Sequence, residues 1–172
     1  GVLYDSYDHS MVIEIQKLIQ DATIITPNLT EMALLLNRQY KENIEMPELK
    51  DCIYQLADKG PQNVVITSVP EKNNRTAVVA YNSKNKRFWK VSCEYIPANY
   101  PGTGDAFASI VLGSLLQGDS LPISLDRAVH FISLGIRSTF GYDHDTREGF
   151  LLEKMLGHLN SPVTLSSYEI ID

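Results

Sequence analysis

Gly102-Thr103-Gly104-Asp105 is the stretch best suited to chemistry. It stands directly before a run of small and apolar residues, 106–117, that suits a buried helix ending at Gly118. Glycines let a ligand approach the backbone, and the unpaired first-turn amides and dipole of a helix attract phosphate oxygens. A carboxylate at the rim, Asp105, is of the right type to take the proton of an attacking hydroxyl. The same four residues also describe a plain turn with Asp105 as a helix cap. The G-K-[ST] ending of a Walker loop is absent, which disfavours a P-loop nucleotide hydrolase.

A second set precedes it. Thr26-Pro27-Asn28-Leu29-Thr30-Glu31 follows a short β-rich run, and in α/β sheets the carboxyl ends of strands hold the ligand. Asn28 and Glu31 therefore stand where a nucleotide or a metal is expected, although N-x-x-E is equally the signature of a capping box. Thr67-Ser68 closes the next β-rich run, where hydroxyls can touch phosphate or simply make a turn. Asp143-His144-Asp145 offers metal-ligand types, but neighbours in sequence rarely converge on one ion, so it reads as a solvated loop. Phe88 and Trp89 are explained by packing on a hairpin.

The elements that must position these residues follow from periodicity. Met11, Val12, Ile15, Leu18 and Ile19 form one helical stripe with Ser10 as its expected cap. Residues 22–26 read as a short buried strand stopped by Pro27, and a helix follows to about Asn37. Pro47 suits a first helical turn, and Leu49, Cys52, Ile53, Leu56 and Ala57 continue that helix to a stop at Gly60-Pro61. Residues 64–69 are the next strand, so the order suggests βα units on a mostly parallel sheet. Residues 75–81 and 87–93 predict an antiparallel hairpin inserted into it. Leu125, Ala128, Val129, Ile132 and Ile136 outline one later helix, and Leu151, Leu152, Met155, Leu156 and Leu159 another. Residues 161–172 show no strong period and are expected to be a weak extension or tail.

The chain has 172 residues, 44% of them hydrophobic, enough for one domain with a real core. A net charge of −6 argues against a broad nucleic-acid surface, yet leaves nucleotide binding open, because a few local amides and a metal suffice for that. Two cysteines, Cys52 and Cys93, are too few for a disulfide framework and lack zinc spacing, as expected of reduced thiols in the cytoplasm. No apolar run approaches the ~20 residues of a membrane span, so no membrane association is expected. The start at Gly1 and the late first strand suggest part of a longer polypeptide.

Taken together, the order T-P-N-x-x-E, strand, T-S, hairpin, G-T-G-D, helix resembles the vitamin-kinase branch of the ribokinase superfamily, most closely the pyridoxal/pyridoxamine kinases. The resemblance runs from Gly1-Val2-Leu3-Tyr4 to about Leu159 and covers the C-terminal half of such a kinase. It implies a ribokinase-like α/β fold, residues 1–172 forming a single nucleotide-binding domain, partial by comparison with the family. It further implies ATP and Mg²⁺ as cofactors, a pyridoxal-type substrate, a homodimer and a cytoplasmic location. In the roles it implies, Asp105 is the general base and the amides of Gly102, Thr103 and Gly104 form the anion hole. Asn28, Thr67, Ser68 and Tyr4 lie on ATP, and Glu31, with Thr26 nearby, acts on Mg²⁺. Related hydroxymethylpyrimidine kinases typically carry cysteine at the position of Asp105, and sugar kinases read G-A-G-D, so Thr103 with Asp105 favours the pyridoxal side. A kinase for a pyrimidine, sugar or nucleoside, or a nucleotide-binding module without catalysis, are the alternative readings.

Overall fold

Strand β1 (Ile24–Ile25) pairs in parallel with β2 (Asn63–Glu71), with Ile24 opposite Asn63 and Ile25 opposite Val64. These elements come from a computed structural model that describes residues 9–142, 145–160 and 167–172. β3 (Arg75–Asn82), β4 (Arg87–Glu94) and β5 (Tyr168–Ile170) complete a five-stranded sheet in the order β1-β2-β3-β4-β5. Residues 72–74 and 83–86 join β2 to β3 and β3 to β4, far too short for a parallel crossover, so these neighbours are antiparallel and the sheet is mixed. The expected α/β class holds, but the sheet is mixed rather than mostly parallel. The expected antiparallel hairpin is β3–β4, and it continues the sheet because consecutive left-handed residues Asn73 (φ 60°) and Asn74 (φ 54°) turn the chain straight from β2 into β3.

The helices are α1 (His9–Leu18), α2 (Leu29–Leu35), α3 (Met46–Ala57), α4 (Thr103–Leu116), α5 (Leu121–Phe140) and α6 (Leu152–Met155). Ser10 lies inside α1 rather than capping it. α2 ends before the expected Asn37, which takes a left-handed φ of 51° that terminates the helix. The helix expected through Leu159 breaks after α6 into a 3₁₀ turn, Leu156–Asn160. The expected tail contains β5, too short at Tyr168–Ile170 to reveal a period.

The chain divides into two compact units, one of residues 1–71, 77–90 and 170–172, the other of residues 72–76 and 91–169. In the first, the α3 stripe Leu49, Cys52, Ile53 and Leu56 packs into one core with Val64 and Ile66 of β2, Val79 of β3 and Phe88 of β4. Gly60, after α3, sits against the backbone of Gln20 so closely that any side chain would collide, and its φ of 142° suits only glycine. Phe88 and Trp89 are buried, as packing required. In the second unit Tyr100, Phe131, Phe150 and Met155 form the core. There α4 was expected to be a buried helix, but only Phe107, Val111 and Ser114 are buried, while Leu112 is 50% and Leu116 79% exposed. Its apolar outer face has no cover among the described residues.

Candidate functional site

The first unit brings the two earlier motifs together. Asn28 forms an isolated parallel bridge with Thr67, and the Thr67 amide donates to the Pro27 carbonyl at 2.9 Å. This keeps the register of β1 and β2, so Thr26-Pro27-Asn28 and Thr67-Ser68 lie side by side at the carboxyl ends of two parallel strands. Asn28 is the N-cap of α2: its Oδ1 accepts the Glu31 amide at 3.0 Å, and Glu31 Oε2 accepts the Asn28 amide at 2.9 Å. The capping box is thus real, and it leaves one carboxylate oxygen of Glu31 and the Asn28 Nδ2 donor without a partner among the described residues. Glu31 is exposed, whereas Thr26, Asn28 and Thr67 are half-buried.

Ser68 carries a feature that its type does not announce. Within β2 it adopts a left-handed φ of 57°, rare for a non-glycine residue, and its side chain is exposed. Strained backbone of this kind gathers at ligand sites, where the surroundings hold it in place.

The second unit holds the glycine motif at the start of α4. Gly102 is the N-cap with φ 84° and ψ −5°, a left-handed turn that glycine allows. Both the Oγ1 and, more weakly, the amide of Thr103 donate to the Tyr100 carbonyl, at 3.1 and 3.4 Å. Of the expected anion hole, the Gly102 and Gly104 amides, joined by that of Asp105, find no acceptor among the described residues. Among the described residues, apart from the chain neighbours and the helix's own backbone, no heavy atom lies within 4 Å of where a Cβ would stand on Gly102 or Gly104, so the space above the turn is open. Asp105, third residue of the helix, is exposed and makes no capping bond, so the plain cap reading fails for it. Glu31 and Asp105 occupy the same helical position, but only Glu31 spends its carboxylate on its own helix.

Two further residues shape the turn without having been singled out in the sequence. Buried Tyr100 supplies the carbonyl that holds Thr103, and Gly149 backs directly on Pro101, its hypothetical Cβ 2.9 Å from the Pro101 oxygen. A glycine following the Thr146–Glu148 turn was the only local sign of the second contact. Asp145 is taken up by Arg147, whose guanidinium donates to it at 2.7 Å. Tyr4, Asp143 and His144 lie outside the described residues. Among those described, no three His, Cys, Asp or Glu side chains could form a metal cage, and no helix is long and apolar enough to cross a membrane.

The profile of the phosphomethylpyrimidine kinase family matches residues 6–148. The chain is 31% identical to pyridoxal kinase of Sus scrofa over 72% of its length, covering 41% of that protein. It is 25% identical to a hydroxymethylpyrimidine/phosphomethylpyrimidine kinase of Aquifex aeolicus, again over 72% of the chain and 47% of the relative. A crystal structure of a Bacteroides thetaiotaomicron protein, provisionally described as a phosphomethylpyrimidine kinase and crystallised with pyridoxal, is 54% identical with a TM-score of 0.95. That superposition covers 99% of this chain and 60% of the solved one. The chain therefore spans less than half the length of these two curated relatives. The fold is that of the ribokinase-like vitamin kinases.

Proposed function

The chain belongs to the phosphomethylpyrimidine kinase family, and from that premise we propose that the polypeptide carrying it phosphorylates the 5′-hydroxymethyl group of pyridoxal, pyridoxamine or pyridoxine with ATP. The observation that carries this reading is the carboxylate of Asp105, uncommitted among the described residues, beside the open amides of the α4 turn. In this role Asp105 takes the proton of the acceptor hydroxyl as its oxygen bonds to the γ-phosphorus and the bond to the β-phosphate oxygen breaks. The Gly102, Gly104 and Asp105 amides stabilise the charge on the transferred group, and the open space above the glycines fits phosphate oxygens. Thr103 holds the turn to Tyr100.

Asn28 Nδ2 and the hydroxyls of Thr67 and Ser68 bind the triphosphate, with Tyr4 assigned to the nucleotide by family resemblance alone. The free oxygen of Glu31, with Thr26 nearby, fits Mg²⁺, which commonly takes one or two carboxylates and fills its shell with water and phosphate. When bound, that ion offsets phosphate charge. The pyridoxal in the Bacteroides structure and the Sus scrofa relative support a B6 vitamer as acceptor. The matched family profile and the Aquifex relative favour hydroxymethylpyrimidine as the second reading. One nucleotide-binding domain, a cytoplasmic location and a homodimer belong to the same proposal.

The test is ADP release by the natural polypeptide with MgATP and pyridoxal, pyridoxamine, hydroxymethylpyrimidine, ribose, adenosine or no acceptor. Stimulation by the pyridoxal compounds alone supports the first reading, and stimulation by hydroxymethylpyrimidine alone replaces it with the second. MgATP binding without stimulation by any acceptor leaves a nucleotide-binding module.

A further inference from the structure

We propose, resting on the kinase reading above, that Gly149 is a positioning residue that sets the height of the Gly102–Asp105 turn. Gly149 has φ 79° and ψ −168°, a region open essentially to glycine alone. Its missing Cβ would stand 2.9 Å from the carbonyl oxygen of Pro101, the residue joined to Gly102. The segment that presents Gly149 cannot easily retreat. Its amide donates to the Thr146 carbonyl at 3.2 Å. On its other side Phe150 is buried with Tyr100, Phe131 and Met155, its ring so close to Gly135 of α5 that a Cβ there would come within 2.7 Å. The Leu151 amide then donates to the buried Thr139 hydroxyl of α5 at 2.9 Å.

A continuous set of contacts therefore runs from α5 through Phe150 and Gly149 to Pro101 and the turn. A Cβ at 149 meets the Pro101 oxygen, while the segment behind it is held to α5 by the Phe150 ring and the Leu151–Thr139 hydrogen bond, so the Pro101 end must give. Pro101 is exposed and carries the turn with it. The amides of that turn act on charge that develops only during transfer, so their displacement lowers kcat and leaves ground-state nucleotide affinity nearly intact.

The experiment compares Gly149→Ala with wild type in the natural polypeptide that carries this chain, under saturating acceptor. The expected result is a fall in kcat of about 10- to 100-fold, with KM for MgATP within about 2-fold. The Gly102 and Gly104 amide resonances should also move in ¹H–¹⁵N spectra. Ile53→Val, buried in the first unit, lowers Tm without touching the turn and should keep kcat and those resonances unchanged. If Gly149→Ala does not fold, Phe150→Leu loosens the same support without a clash and carries the same expectation of a kcat loss at constant KM. Wild-type kcat in the substituted enzyme, or a loss that appears in KM alone, overturns the inference while leaving the kinase reading intact. A wild-type polypeptide with no acceptor-dependent turnover overturns that reading, and this inference with it.

Discussion

Asn28 stands beside Thr67 as a parallel bridge beyond the end of β1, while its side chain caps α2 through the Glu31 amide at 3.0 Å. One residue thus ties a strand end to a helix start, and it brings together two motifs that lie well apart in the chain. The bridge makes the carboxyl edge of β1 and β2 a single surface on which Thr26, Asn28, Glu31, Thr67 and Ser68 all lie.

Asp105→Asn keeps the size of the side chain and removes the base. Since Asp105 makes no capping bond, Tm should stay within about 1 °C of wild type, a surface change being worth little. kcat should fall by about 10²- to 10⁴-fold, with MgATP binding by calorimetry unchanged. Retention of wild-type turnover would remove Asp105 from its assigned role.

Glu31 has two separable duties. Glutamine at this position preserves a capping box, whereas alanine does not. Glu31→Gln should therefore keep Tm and raise the Mg²⁺ concentration needed for half-maximal turnover, while Glu31→Ala should also lose about 1 kcal/mol of stability, as cap losses do. Equal Mg²⁺ requirement in Glu31→Gln and wild type would reduce Glu31 to a cap.

Ser68 tests whether backbone strain is kept for a ligand. Glycine relieves the left-handed φ of 57°, so Ser68→Gly should be neutral or stabilising by up to ~1 kcal/mol, whereas Ser68→Val should cost about 2 kcal/mol. Loss of a hydroxyl bonded to phosphate should raise KM for MgATP about 10-fold in Ser68→Gly. An unchanged KM would show that the hydroxyl does not reach the nucleotide.

Burial pushes the Cys52 thiol above its ordinary value, and the nearby Arg38 guanidinium, 3.1 Å from Sγ, offsets only part of that. The folded state then keeps a proton that the unfolded chain releases. The associated stability is fully present below about pH 8.5, the ordinary thiol value, and declines as pH rises toward the raised folded value. Urea midpoints at pH 7.5 and 9.5 should fall less in Cys52→Ala than in wild type, and native Cys52 should resist disulfide reagents at pH 8. Equal alkaline loss in both proteins would contradict this account.

Local chemistry by itself determined much of this protein. The α3 stripe, the capping box at Asn28 and Glu31, the cores of β2, β3 and β4, and a glycine turn opening α4 were all legible because each depends on residues a few positions apart. From these came the α/β class and the motifs of the candidate site. Only the tertiary structure decided that the hairpin belongs to the sheet, that Tyr168–Ile170 is a strand, and that Asn28 and Thr67 share one register. It likewise decided that Ser68 is left-handed and that Gly149 backs on Pro101. The reason is physical: periodicity and capping are encoded within a helical turn or a strand, whereas register, strain and close backbone approach are set by partners distant in sequence, whose choice no local pattern records.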